Sequence, residues 1–314
     1  MSSATAILGL GVHRPARAVT NVELSETVDT SDAWIRERTG IVQRRFAGEG
    51  ESIVEMGASA GAKALAAAGI DATDVDLVIL ATCSAKDNLP GGAASVATML
   101  GCTSPGAFDL NAACAGFSYA ISLARDSVKA GSARHVLVVG AEFLSQWLDF
   151  NDRATCILFG DGAGAAVVGP SPDGIEGIGP VVWGSDGAGA EFITIRPEGF
   201  GMQGAPVFRW ATSVMVTAAR EACAKAGITP AELDAFVPHQ ANGRIVSSLV
   251  RSLGLPDSVV VADDIADSGN TSAASIPLAL GALIEQGRLA PGAKALLIGF
   301  GSGLTYSAQV VRIP

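Results

Sequence analysis

The sequence predicts an α/β protein made of two copies of one unit. Three observations carry the expectation. Ala68-Gly-Ile-Asp-Ala-Thr-Asp-Val-Asp76 is echoed by Ala226-Gly-Ile-Thr-Pro-Ala-Glu-Leu-Asp234. Ala120 to Gly140, a helical pattern with a Lys-Ala-Gly stop and then His135-Val-Leu-Val-Val-Gly140, is echoed by Leu278 to Gly299, with a Gln-Gly stop and then Ala295-Leu-Leu-Ile-Gly299. Each half also closes on a glycine-punctuated apolar run, Ile157 to Val168 and Leu297 to Val311. Self-similarity at a long period marks a repeated supersecondary unit.

Taken in order, the alanine-rich stretch Ile53 to Ala68 predicts a helix and Leu77 to Ala81 a short strand. A helix from Ala120 and a strand through Gly140 follow. Paired glycines then predict a hairpin over 157–168, since they permit tight turns and close backbone approach. Pro170 to Gly189, rich in Gly, Pro, Asp and Ser, is the natural junction, giving halves 1–170 and 171–314. The second half repeats the order: helix over Val214 to Ala226, strand at Ala235 to Val237, helix from Leu278, strand at 295–299 and hairpin to Val311.

The composition fits a large packed core. Of 314 residues, 49% are hydrophobic and 17% charged, which excludes disorder, collagen-like repeats and disulfide miniproteins. With 21 basic against 31 acidic residues the net charge is −10, so neither nucleic acid nor an anionic membrane is an expected partner. Cys83, Cys102, Cys114, Cys156 and Cys223 are odd in number and far apart, as reduced thiols of a cytoplasmic protein would be. Neither a targeting segment nor a membrane span is expected, because no stretch reaches the roughly 18 apolar residues a span needs.

Chemistry concentrates at a few positions. Cys114, in Asp109-Leu-Asn-Ala-Ala-Cys-Ala-Gly-Phe-Ser-Tyr119, lies where an apolar segment meets a small-residue helix. A helix N-terminus favours the thiolate, the nucleophilic form. Taken alone, a small buried hydrophobe is an equal reading. The matching junction of the second half, Asp267-Ser-Gly-Asn-Thr-Ser-Ala-Ala-Ser275, places Asn270 near the pseudo-equivalent position. Phe236-Val-Pro-His-Gln-Ala-Asn242 puts His239 just beyond a strand. A lone histidine is more often structural and a lone asparagine a cap, but among three histidines His239 is the best placed. Cys, His and Asn converging on one point would let a thiolate attack a thioester while two neutral donors stabilise an enolate or oxyanion.

Asn111-Ala-Ala-Cys-Ala-Gly-Phe117, Pro238-His-Gln-Ala-Asn242 and Gly269-Asn-Thr-Ser-Ala-Ala-Ser275 resemble the three active-site motifs of β-ketoacyl-acyl carrier protein synthase III. The similarity runs from Asp29-Thr-Ser-Asp-Ala-Trp-Ile-Arg-Glu-Arg-Thr-Gly40 to Gly299-Phe-Gly-Ser-Gly303. It implies a thiolase-like duplicated α-β-α-β-α layered sandwich and a homodimer whose loops reach the partner's pocket. It implies Cys114 as the acyl-accepting nucleophile, with His239 and Asn270 holding the thioester carbonyl of malonyl-acyl carrier protein during decarboxylation. The backbone N–H groups of Cys114 and Ser302 would form the oxyanion hole. Ser302 replaces the central one of three glycines common there, a change tolerated if the turn needs no positive φ.

Trp34, Arg38, Arg153, Asn242 and Arg244 match positions that line the family's CoA tunnel, although as isolated residues they read as surface packing and solvated ion pairs. Arg209, Arg244 and Arg251 would form a basic patch for the acidic carrier protein. Leu89, Leu144, Phe159, Met202, Gly204 and Leu304 match the acyl pocket. Leu89, where some relatives carry a larger aromatic, suggests that more than an acetyl group fits. No metal or organic cofactor is implied.

Three rival readings are weaker. Gly160-Asp-Gly-Ala-Gly-Ala165 as a dinucleotide loop lacks the following helix and acidic residue. Priming of polyketides, or acyl transfer to another acceptor, keeps the nucleophile, yet retention of both His239 and Asn270 favours decarboxylative condensation. A non-catalytic partner subunit would lack Cys114.

Overall fold

The computed structural model describes residues 4–87, 89–197 and 199–314. Its frame is two five-stranded mixed sheets. The first comprises β1 (Thr5–His13), β2 (Leu77–Ala81), β3 (Gly106–Leu110), β4 (Val136–Glu142) and β5 (Gly162–Pro170), in the spatial order β1-β5-β4-β2-β3. The second comprises β6 (Val182–Ser185), β7 (Ala235–Pro238), β8 (Val260–Val261), β9 (Lys294–Gly301) and β10 (Thr305–Arg312), in the order β6-β10-β9-β7-β8. The two orders are the same, strand for strand, and so are the directions: β2 runs parallel to β3 and β4 as β7 does to β8 and β9.

Six main helices repeat in the same way. They are α1 (Ile53–Ala68), α2 (Gly92–Leu100), α3 (Gly116–Ala130), α4 (Gly204–Lys225), α5 (Gly243–Leu253) and α6 (Ser275–Glu285). Side chains alternate along the central strands and show the layering. Val136 and Val138 of β4 and Ala295 and Leu297 of β9 point inward to a cluster with Phe117 and Ile121 of α3 and Ile276 and Leu280 of α6. Leu137 and Val139 point outward under α1 and α2, and Leu296, Ile298 and Phe300 outward under α4 and α5. The result is the α-β-α-β-α sandwich. Both strand faces are covered, which is why these strands read as unbroken apolar runs. Fully burying a side chain such as Phe117 contributes about 1.5–3 kcal/mol.

The local signals are those of the sequence. Ser52 caps α1 in a capping box with Glu55, and Gly69 ends it in the left-handed conformation. The expected helix over 214–226 starts ten residues earlier, because Pro206 falls in its first turn, where no intrahelical N–H is needed. The hairpin expected over 157–168 does not form. Only Gly162–Pro170 is a strand, lying between β1 and β4. Residues 157–160 are drawn off the sheet toward the second half: the Asn270 N–H donates to the Leu158 carbonyl at 2.8 Å and the Gly160 N–H to the Asn270 carbonyl at 3.0 Å. The hairpin of the second half does form, as β9 and β10. Among the described residues no helix is long and apolar enough to cross a membrane.

Candidate active site

Where the halves meet, a cavity of about 310 Å³ is lined by Cys114, His239 and Asn270 together. Each sits at the corresponding end of its unit. Cys114 is the middle residue of a short turn, Ala113–Ala115, that leads into α3. His239 follows the last residue of β7, and Asn270 precedes the turn Ser272–Ala274 that leads into α6.

The pseudo-symmetry is tighter than the sequence echo, and its register differs from the expected one. Asn111 Oδ1 accepts from the Ala113 N–H at 3.1 Å, and Asn270 Oδ1 accepts from the Ser272 N–H at 2.9 Å. Ala113 and Ser272 both take the left-handed conformation with φ of 46°. The counterpart of Asn270 is therefore Asn111, and that of Cys114 is Ala273. The left-handed conformation costs about 1–3 kcal/mol at each of these two non-glycine residues and is held by the packing around them. With Oδ1 occupied, the Asn270 amide nitrogen is left as a donor.

His239 is buried, and burial pulls its pKa down to about 3, so the ring is neutral. Its Nδ1 lies 2.7 Å from Ser275 Oγ, which also accepts from the Gln240 N–H at 3.3 Å. In the tautomer where the Ser275 hydroxyl donates to Nδ1, the ring proton is on Nε2 and His239 is a second neutral donor.

The nucleophile departs from the simple helix-terminus picture. Burial pushes the Cys114 thiol up to about 12, outweighing the hydrogen bond with Ser272 that favours the thiolate. The resting group is a thiol.

Opposite it lies the turn between β9 and β10. Thr305 Oγ1 donates to the Ala112 carbonyl at 3.0 Å, tying this turn to the nucleophile's loop. Ser302 has no positive φ; that demand falls on Gly303, at 127°. The Ser302 hydroxyl donates to the Ile193 carbonyl at 2.7 Å. Among the described residues, the backbone N–H groups of Cys114 and Ser302 have no acceptor.

Of the residues matched to the acyl pocket, Leu144, Phe159, Met202 and Gly204 line the cavity, with the Phe159 and Phe200 rings 4.3 Å apart. Leu304 does not. It is buried behind the wall against Gly189, held by exchanged backbone bonds with Asp186. Leu89 is 89% exposed and also lies outside the lining.

At the rim, Trp34 lies beneath two cations, with the Arg38 and Arg153 guanidinium carbons 4.5 and 5.1 Å from its ring centroid. Asn242 lines the cavity and caps α5 by accepting from the Arg244 N–H at 2.9 Å. Arg209 on α4 and Arg244 and Arg251 on α5 are exposed, and among the described residues none forms an ion pair. His13 and His135 lie elsewhere, bonded to Glu51 and to the Asp74 carbonyl.

Sequence reasoning missed several supporting groups. Arg44 is wholly buried and donates to the Val19 and Ile157 carbonyls and to Asn21 Oδ1, anchoring the 157–160 segment that clamps Asn270. Burial lowers its pKa to about 10. Ser272, Ser275, Cys83 and Glu142 were missed as well. Ser272 and Ser275 stand inside a quoted motif, so position relative to Asn270 was an available signal; Arg44 and Glu142 carried none.

Known proteins resemble this chain over its whole length. Residues 108–187 match the 3-oxoacyl-[acyl-carrier-protein] synthase III family, and residues 223–313 match the C-terminal part of 3-oxoacyl-[acyl-carrier-protein] synthase III. The chain is 50% identical over 317 residues to β-ketoacyl-[acyl-carrier-protein] synthase III 4 of Streptomyces coelicolor, with 100% of each covered. It is 47% identical over 321 residues to the mycobacterial β-ketoacyl-[acyl-carrier-protein] synthase III of Mycobacterium avium, covering 98% of this chain and 95% of the relative. Among solved structures, the priming β-ketosynthase from the R1128 polyketide biosynthetic pathway superposes with a TM-score of 0.97 at 45% identity, covering 100% of this chain and 97% of that one.

Proposed function

Because the chain belongs to the 3-oxoacyl-[acyl-carrier-protein] synthase III family, we propose a mechanism in which its cavity performs that reaction through Cys114, His239 and Asn270. The protein is an acyltransferase of the thiolase fold, a β-ketoacyl-acyl carrier protein synthase III that initiates fatty acid synthesis by condensing an acyl-CoA primer with malonyl-acyl carrier protein. The observation that carries the residue assignment is the meeting of the Cys114 thiol with His239 and Asn270 on a single, largely apolar cavity.

Cys114 attacks the acyl-CoA carbonyl, and its own N–H and that of Ser302 receive the oxyanion. CoA leaves. Malonyl-acyl carrier protein then binds with its thioester oxygen toward His239 Nε2 and Asn270 Nδ2. Both donors are uncharged, so they stabilise the enolate formed on loss of carbon dioxide without protonating it. The carbanion attacks the Cys114 thioester and releases 3-oxoacyl-acyl carrier protein.

Trp34 with Arg38 and Arg153 offers a face and charge for the nucleotide end of CoA, and Arg209, Arg244 and Arg251 a basic patch for the acidic carrier protein on an otherwise acidic chain. The chain acts as a cytoplasmic homodimer. Supporting the dimer, β3 is an edge strand exposed along most of its length with Phe108 at the surface, and an unpaired apolar edge is a template for a second copy. In that dimer Leu89 would reach the partner's pocket.

Intact-protein mass spectrometry tests the reading. An acyl adduct on Cys114 should form with acyl-CoA alone and disappear as malonyl-acyl carrier protein is converted to the 3-oxoacyl product. An adduct that survives and passes to another acceptor would make this a non-condensing acyltransferase. The likeness to a priming β-ketosynthase favours, as second reading, the same condensation on a polyketide starter unit; transfer from the fatty-acid to a polyketide carrier protein in the same assay separates the two.

A further inference from the structure

Glu142, the last residue of β4, is wholly buried. Its oxygens accept from Thr82 Oγ1, the Cys83 and Ser84 N–H groups, the Cys83 thiol, Ser84 Oγ and the Ala273 N–H, at 2.5–3.3 Å. Three of these partners are backbone N–H groups, which only donate, and they suit a carboxylate, which only accepts. Among the described residues no cation pairs with it.

Strand register gives Glu142 a counterpart in the other unit. β2 pairs with β4 through Leu77 and Val136, and β7 with β9 through Ala235 and Ala295. On their other sides Val136 pairs with Val168 of β5 and Ala295 with Val311 of β10. Val136 therefore corresponds to Ala295. At the far end of the same strands Glu142 corresponds to Gly301, each in the last pair of its ladder.

Each of the two meets the turn of the opposite unit. A side chain on Gly301 would begin 2.9 Å from the Cys114 nitrogen, whereas Glu142 accepts from the N–H of Ala273, the counterpart of Cys114, at 3.3 Å. The N–H of Phe143, the counterpart of Ser302, is likewise taken, by Ser84 Oγ at 2.8 Å. Of the two equivalent pairs of N–H groups, the one at Cys114 and Ser302 is thus open and the other is filled by the protein's own side chains.

We propose that Glu142 is a positioning residue for Asn270: its carboxylate is a built-in anion in the second unit's copy of the oxyanion site, and it fixes the turn that aims the Asn270 amide. The role rests on the condensing mechanism above.

Two consecutive N–H groups carry the effect. That of Ser272 donates to Asn270 Oδ1 at 2.9 Å, and the next, that of Ala273, donates to Glu142. Glu142 also accepts from the Cys83 thiol, whose sulfur lies 3.3 Å from Ser272 Oγ. Without the carboxylate the buried Ala273 N–H loses its acceptor, a cost the turn relieves by rotating its peptide groups, and the Ser272 N–H moves with them. The nucleophile's turn is held separately, by Asn111 Oδ1 and Thr305 Oγ1. Glu142 therefore acts on decarboxylation and not on acylation. Because the Asn270 amide serves an enolate that forms only in the transition state, its misplacement lowers kcat and leaves KM.

Glu142→Ala removes the equivalent of one acetate ion, so acetate is the probe. In this variant carbon dioxide release from malonyl-acyl carrier protein should fall by about 10²-fold in kcat with KM within about threefold, while the Cys114 adduct forms within about threefold of the wild-type rate. Tens of millimolar acetate should restore at least about a tenth of the wild-type rate and raise the thermal midpoint of Glu142→Ala but not of the wild type. Chloride at the same ionic strength should do neither. Glu142→Gln fills the same space but sets an amide donor among donors, so it should be as slow and insensitive to acetate. Equal losses in acylation and decarboxylation overturn the assignment, as does a loss in folded Glu142→Ala that acetate leaves unchanged. If Glu142→Ala stays unfolded even in acetate, Glu142→Gln decides, and decarboxylation by it near the wild-type rate overturns the assignment. No adduct on the wild-type protein overturns the condensing reading instead, and the acetate-dependent thermal midpoint still reports on the anion site.

Discussion

Gly301 stands so close to Cys114 that a methyl group on it would lie 2.9 Å from the Cys114 nitrogen and 3.1 Å from its sulfur. The nucleophile's loop and the β9–β10 turn thus pack backbone to backbone, which sets the opening between the Cys114 and Ser302 N–H groups. Gly301→Ala must widen it. Self-acylation should fall by about 10²-fold, the cost of one misplaced oxyanion donor, with the fold retained by circular dichroism.

Ser302→Gly tests the same turn from the other side. Ser302 supplies a backbone N–H and carries no positive φ, so the glycine variant should acylate within about threefold of wild type. A larger loss would give the hydroxyl, which bonds Ile193, a part in holding the turn.

The two half-reactions should separate by residue. Cys114→Ala should form no acyl adduct. Asn270→Ala should still acylate but decarboxylate malonyl-acyl carrier protein about 10²-fold more slowly, because in the proposed mechanism its amide holds the second substrate's thioester. Carbon dioxide release and adduct mass, measured on the same variant, check the division; loss of acylation in Asn270→Ala would overturn it.

In the proposed function the acyl chain lies against Leu144, Phe159 and Met202, which line the same cavity of about 310 Å³ as Cys114. Isobutyryl-CoA should therefore acylate within about tenfold of the rate with acetyl-CoA. A larger preference for acetyl-CoA would contradict the assignment of a leucine at position 89 as permissive.

His239 ties stability to pH. Its pKa falls from an ordinary 6.5 to about 3 on folding, so between those values the unfolded chain holds a proton that the native chain does not. Stability from the neutral ring is complete above about 6.5 and is lost as pH falls toward 3. The urea midpoint of the wild type should drop further between neutral pH and about pH 5 than that of His239→Asn. Equal drops would show that the ring is hydrated in the native state.

What could be read in advance followed from local rules. Ile53–Ala68 and Leu77–Ala81 appear where the pattern placed them, because capping, alanine content and apolar runs act over a few residues of chain. The 157–160 segment had an equally good strand pattern and is not a strand, since Arg44 and Asn270, each more than 100 residues away in sequence, compete for its backbone.

Local pattern was enough for the duplication and the layer-forming elements, and it singled out Cys114, His239 and Asn270 as candidates, because their motifs are contiguous. Contacts between distant segments are another matter: that Asn111 is the counterpart of Asn270, that Leu304 lies behind the cavity wall, that Arg38 and Arg153 both meet the Trp34 ring, and that the Cys83 thiol donates to the buried Glu142 follow from how the sheets stack. Periodicity records how a segment meets its own backbone geometry. Which buried donor finds which acceptor depends on how two sheets stack, and that is set by packing between segments far apart in the chain.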